Sequence, residues 1–146
     1  MLQNWGVKPV SLHACDVATD FALAQAVKWQ TKVILAVPCC QHELFGQLDE
    51  STQPVLLKHG ILKERIGALI TDAARAQLLE MEGYDVRVME FIDLEHTPKN
   101  LLIRALRQPK LDQGQASQNY QEFKEFWRIN PSLEVLLAKE DGDAES

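Results

Sequence analysis

Nearly all the side chains able to do chemistry fall in three short segments: His13-Ala-Cys-Asp16 with Thr19 and Asp20, Pro38-Cys-Cys-Gln-His42-Glu43, and Asp93 to Asn100. Between them they hold all three cysteines and three of the four histidines. His13, Asp16 and His42 are side chains of the kind that orient or deprotonate a nucleophile. Each has a plainer reading beside it. Asp16 stands where a helix should begin, so it could simply cap that helix. Cys15, Cys39 and Cys40 could be small buried apolar residues. Thr97-Pro98 could be only the corner between two strands, with Asn100 bonding its backbone. His13, Cys15, Cys39, Cys40, His42 and His96 are donors enough for zinc, but they lack paired Cys-x-x-Cys spacing, and no metal is assigned to them.

The elements that must position these segments follow from periodicity. Val7 to His13 reads as a strand, and Ala18 to Trp29 as a helix with Ala22, Leu23, Ala26 and Val27 at helical spacing. Lys32 to Val37 is a continuous run rich in β-branched residues, the pattern of a strand covered on both faces, and Pro38 ends it. Gly46 to His59 looks irregular or weakly helical. Glu64 to Glu82 places Ile66, Leu69, Ile70, Ala73, Leu78 and Met81 on one stripe, with Gly83 as a terminator. Tyr84 to Ile92 and Leu101 to Leu106 read as strands joined by a short connection, hence an antiparallel pair. A polar stretch from Gln108 to Gln118 follows. Tyr120, Phe123 and Trp127 then recur at helical spacing as an aromatic core stripe, and Asn130-Pro131 announces a last helix bearing Leu133, Leu136 and Leu137.

This order predicts an α/β fold with a mostly parallel sheet ending in one antiparallel strand. Ligands in such sheets bind beyond the carboxyl ends of the strands, which is where the three segments fall.

The chain has 146 residues, 46% of them hydrophobic and 25% charged, which suits one globular domain. The expected boundaries are 1–138 for the folded part and 139–146 for an acidic disordered tail. A net charge of −6 argues against strong stand-alone nucleic-acid binding. No stretch approaches the roughly 20 apolar residues of a membrane span, so no membrane partner and a cytoplasmic location are expected. The odd cysteine count, with Cys39 and Cys40 adjacent, fits reduced thiols.

Leu12-His-Ala-Cys-Asp-Val-Ala-Thr-Asp20, Val37-Pro-Cys-Cys-Gln-His42 and Glu90-Phe-Ile-Asp-Leu-Glu-His-Thr-Pro-Lys-Asn-Leu-Leu-Ile-Arg104 resemble the class I methyltransferase-like domain of uncharacterised bacterial methyltransferases. More distantly, the first two resemble eukaryotic tRNA 2′-O-methyltransferases with an H-x-C-G-x-A-T-D stretch and a later Cys-Cys-His-His. Here Asp16 replaces the glycine, and Gln41-His42-Glu43 departs from the His-His pair. The resemblance implies a carboxyl-terminal half of a Rossmann-like fold, with strands in the order fourth, fifth, seventh, sixth. It also implies methyl transfer from S-adenosylmethionine, with an RNA substrate. It places Asp16 near the transferred methyl group, with His13 and His42 as further catalytic candidates. Cys15, Thr19, Asp20, Pro38, Cys39, Cys40, Glu95, His96, Thr97, Lys99 and Asn100 would lie close to substrate or cofactor.

No G-x-G turn occurs to cradle the cofactor, and the chain starts where the family's fourth strand would. The isolated chain is therefore expected to bind the cofactor weakly, and to pair with a missing amino-terminal half or a second copy through the Val7 to His13 edge. The alternatives are a non-catalytic half-domain that pairs with another chain, and a thiol or metal-binding protein.

Overall fold

Among the described residues, β-branched and aliphatic runs bounded by proline and glycine make three strands, and amphipathic stretches make the helices packed on them. A computed structural model of the chain describes residues 16–38, 41–91 and 100–142. In chain order come α1 (Val17–Lys28), β1 (Val33–Ala36), a 3-10 turn (Phe45–Gln47), α2 (Pro54–Leu57), α3 (Gly60–Met81), β2 (Tyr84–Phe91), β3 (Asn100–Arg107), α4 (Gln113–Trp127) and α5 (Ser132–Gly142). The expected strand at Val7 to His13 lies outside the described residues.

The sheet order is β1-β3-β2. β3 runs antiparallel to both neighbours, pairing Ala36 with Ile103 on one side and Phe91 with Asn100 on the other. β1 and β2 therefore point the same way, with the last strand inserted between them. That is the order expected for the fifth, seventh and sixth strands. The mostly parallel sheet is not seen, since both pairings among the described residues are antiparallel. What stands is a mixed α/β fold around a small antiparallel sheet.

Burial differs from the expectation for β1. Ile34 and Ala36 are buried whereas Val33 and Leu35 are only half-buried, so one face is covered more fully than the other. The covered face joins Ile103 and Ala105 of β3 to Leu23 and Ala26 of α1, Ala74, Leu78 and Leu79 of α3, Tyr120 of α4, and Leu133 and Leu137 of α5. A second cluster, Leu44, Leu48, Leu57, Ile70 and Ile129, secures the segment around the 3-10 turn. The aromatic stripe of α4 does what its spacing implied: Tyr120 is in the core, and Phe123 and Trp127 pack against the two clusters.

Three boundaries moved. α3 begins at Gly60, ahead of Glu64, and its buried stripe is rotated. Leu69 is 54% exposed and Ala73 is also exposed, while Gly67, Ile70, Thr71, Asp72, Ala74 and Arg75 face inward. α4 starts inside the polar stretch because the Asp112 carboxylate accepts the Gly114 and Gln115 N–H groups, a strong amino-terminal cap. α5 continues to Gly142, past the boundary expected at Ala138, because Lys139 to Asp141 contain no helix breaker. Gly83 has φ +84, the left-handed conformation that ends α3 and turns the chain into β2.

Among the described residues no helix is long and apolar enough to cross a membrane.

Candidate functional site

Asp16 immediately precedes α1 and occupies its capping position, yet its side chain makes no capping hydrogen bond. Its carboxylate is used elsewhere: Oδ2 accepts the backbone N–H of His42 at 3.1 Å. The segment that opens α1 is thereby tied to the loop that follows β1. Asp16 holds φ 40 and ψ −103, a conformation that favours glycine. Such a backbone costs about 1–3 kcal/mol in a non-glycine residue. A strained aspartate with its side chain turned away from the helix it precedes is not behaving as a cap.

Beneath Asp16 lies a buried ionic cluster whose centre is Arg75 on α3. Its Nε donates to Asp20 Oδ1 at 2.7 Å, Nη1 to Asp72 Oδ1 at 3.2 Å, and Nη2 to the backbone carbonyl of Asp16 at 2.9 Å. Nη2 also stands 3.7 Å from Asp16 Oδ1. Gln41 closes the loop side of the cluster, donating through Nε2 to Asp72 Oδ2 at 3.0 Å and to the Pro38 carbonyl at 3.2 Å. Asp20, Asp72 and Arg75 are all buried. Three aspartates thus share one guanidinium, and Asp16 Oδ1 and Asp20 Oδ2 are buried without a hydrogen-bond donor.

The electrostatics reflect that imbalance. Burial pushes Asp20 up to about 6 against the opposing pull of Arg75, and the Glu43 carboxyl adds to the rise. Burial likewise pushes Asp72 up to about 6, with Arg75 and Gln41 opposing and Asp16 adding. Burial disfavours the charge on Arg75, but its bond to Asp20 and the attraction of Asp20 and Asp72 hold its proton more firmly than usual. Near neutral pH the cluster is poised between holding and releasing a proton.

Chemically, the Asp16 carboxylate is the group with access to solvent. Its side chain is 22% exposed although Oδ1 is buried, and a carboxylate oxygen such as Oδ2, which holds the His42 N–H, can accept more than one donor. A hydroxyl or amine placed there could give its proton to Asp16, and the negative surroundings favour a cationic centre nearby.

Of the sequence candidates, Asp16, Thr19, Asp20, Pro38 and His42 are brought to this place. Thr19 and Pro38 are buried, and His42 is exposed and engaged through its backbone. Asn100 opens β3 opposite Phe91, at the same edge of the sheet as the carboxyl end of β1. His13, Cys15, Cys39, Cys40, Glu95, His96, Thr97 and Lys99 lie outside the described residues. Among the described residues, no group of three or more His, Cys, Asp or Glu side chains could hold a metal ion. Glu43 caps a helix: its Oε1 accepts the Ser132 N–H at the start of α5. Sequence reasoning missed Arg75 and Asp72 because α3 was read for its apolar stripe. The available signal was the Asp72 and Arg75 pair at i,i+3 beside Thr71, three polar residues near the middle of a long helix.

Residues 8–47 match the family description of a methyltransferase domain. The matched stretch contains both Asp16 and His42, the two ends of the bond that joins α1 to the loop after β1. No curated protein and no solved structure matches the chain.

Proposed function

From this likeness to a methyltransferase domain, we propose that the chain takes part in methyl transfer from S-adenosylmethionine to RNA, contributing the substrate side of the site. The observation that carries the reading is the Asp16 carboxylate, held on strained backbone and bonded to the His42 N–H inside the matched stretch. Pre-organised groups of this kind serve reactions in which the protein mainly positions and desolvates the reactants.

The residues present fit the charged end of the cofactor. Three aspartates and Glu43 around one guanidinium leave a negative excess, so the charge of a sulfonium on the open side of Asp16 would be favoured there. Bound S-adenosylmethionine supplies an electrophilic methyl group. Asp16 would hold the acceptor's hydroxyl or amine through Oδ2 and take up its proton, while the His42 N–H fixes the direction of that oxygen. Gln41 holds Asp72 and keeps the loop closed over the cluster. The remainder of the cofactor would rest on a glycine-rich turn that this sequence does not contain, and we assign that turn to a partner chain of different sequence.

The test is transfer of labelled methyl groups from S-adenosylmethionine to bulk tRNA, using the tagged chain purified from its own cells with whatever it binds. Asp16→Asn should lower the rate by about 100-fold or more with the fold retained. Unchanged turnover in a folded Asp16→Asn protein would remove Asp16 from the reaction, and labelling absent in the unaltered protein would remove the activity itself.

A further inference from the structure

Arg75 donates to three different groups, and one of them is not a carboxylate. Nη2 reaches the backbone carbonyl of Asp16 at 2.9 Å across 59 residues of sequence. That carbonyl belongs to the strained residue, and it also receives the Thr19 N–H at 3.1 Å. Strained backbone persists only where its surroundings over-determine it. Among the described residues three bonds do so for Asp16: Arg75 and Thr19 at the carbonyl, and His42 at the carboxylate. The first is the only one that comes from the centre of a long, well-packed helix.

We infer that Arg75 is a positioning residue which holds the Asp16 backbone in its strained conformation and so aims the Asp16 carboxylate at the His42 N–H and the open side of the site. The inference rests on the methyl-transfer reading for its consequence, though its geometry stands apart from it. A guanidinium suits the task because its planar fork directs five N–H groups in fixed directions. Here Nε is fixed by Asp20 and Nη1 by Asp72, which leaves Nη2 no freedom but to face Asp16. The two buried aspartates therefore orient Arg75, and Arg75 orients Asp16. A lysine carries the same charge on a flexible stem and could not satisfy three acceptors in these directions.

A merely structural cluster would balance charge in the core and nothing more, so Arg75→Lys, which keeps the charge, should then perturb the site no more than Asp72→Asn, which removes one. The positioning role reverses that order. Amide hydrogen exchange at His42, followed by NMR on the whole chain, reads the bond to Asp16 directly, and methyl transfer to bulk tRNA by the complex purified with the chain reads its consequence.

Arg75→Lys should keep the helical content, speed exchange at His42 by about tenfold, and lower kcat by about 100-fold with KM for tRNA unchanged, the scale expected from small misplacement of a reacting group. Asp72→Asn should leave both readouts within about threefold, because its amide oxygen still accepts from Arg75 Nη1 and keeps the guanidinium oriented, while its amide N–H can pair with the Gln41 amide oxygen once that amide turns over. Should Arg75→Lys fail to fold, Arg75→Gln offers a second variant with the same expected direction. An Arg75 variant that leaves His42 exchange unchanged overturns the inference, and so does an Asp72→Asn protein that matches the Arg75 variants in both readouts. If the unaltered complex transfers no methyl group, the functional reading falls, and His42 exchange alone decides whether Arg75 positions Asp16.

Discussion

Among the described residues, two polar networks are built on opposite principles. In the one between α4 and α5, Lys124 Nζ pairs with Glu134 at 2.8 Å and the Tyr120 hydroxyl donates to the same carboxylate at 3.0 Å. One cation meets one anion, and the charged ends remain partly open to water, 25% and 29% exposed. In the other, Arg75 faces three aspartates in the interior, and two carboxylate oxygens are left without donors. The first closes its own accounts and reads as a staple between helices. The second is over-supplied with negative charge, strained at Asp16 and tied to a loop, which is how a site differs from a staple.

The largest expected effect breaks the buried network at its centre. Arg75→Met should destabilise the fold by about 3–5 kcal/mol in urea titrations, because it strands buried carboxylates without their cation. A loss below about 1 kcal/mol would mean that water reaches the cluster and that the two networks are alike.

The pH dependence sharpens the contrast. Asp20 and Asp72 sit at about 6 against an ordinary 3.8, so the folded chain binds their protons more tightly than the unfolded chain does. Their stabilising contribution is therefore complete below about pH 4 and is lost as the pH rises through about 6. For the pair coupled through Arg75, a fall on the order of 2 kcal/mol is expected across that window, measured as urea midpoints at constant ionic strength. A cluster contribution that rises over the same range would contradict the assignment of burial as the dominant cause.

Asp72→Asn should remove part of that slope and raise stability at pH 7.5 by about 1 kcal/mol, since it removes one buried negative charge while keeping an oxygen for Arg75. Stability lower than that of the unaltered chain at pH 7.5 would show that Arg75 needs the full charge of Asp72.

The smallest effect belongs to the staple. Lys124→Met should cost only about 0.2–1 kcal/mol, with the difference shrinking in high salt, as for other pairs open to solvent. A loss comparable to that of Arg75→Met would erase the distinction between the networks.

The residues and their period were enough to place most of the elements and to pair β2 with β3, whereas the order of the described strands followed from the family resemblance and not from periodicity. Pro38 after a β-branched run, Gly83 after a long amphipathic stretch and the short connection after Phe91 are local instructions, and local backbone preferences carry them out. The sequence alone also concentrated the reactive side chains in three segments, each expected beyond the end of a strand. It did not say which way Asp16 would turn. As a residue type before a helix, aspartate is equally at home as a cap, and only the approach of the loop after β1 gave its carboxylate a different partner in the His42 N–H. Nor did periodicity reveal Arg75. A charged residue on a helix is ordinarily solvated, and its burial became tolerable only when α1 brought Asp20, and the loop brought Gln41 against Asp72, from positions distant in the chain. Local preference fixes where elements begin and end, whereas the balance of desolvation against charge pairing depends on which elements meet, and that was decided by the tertiary structure.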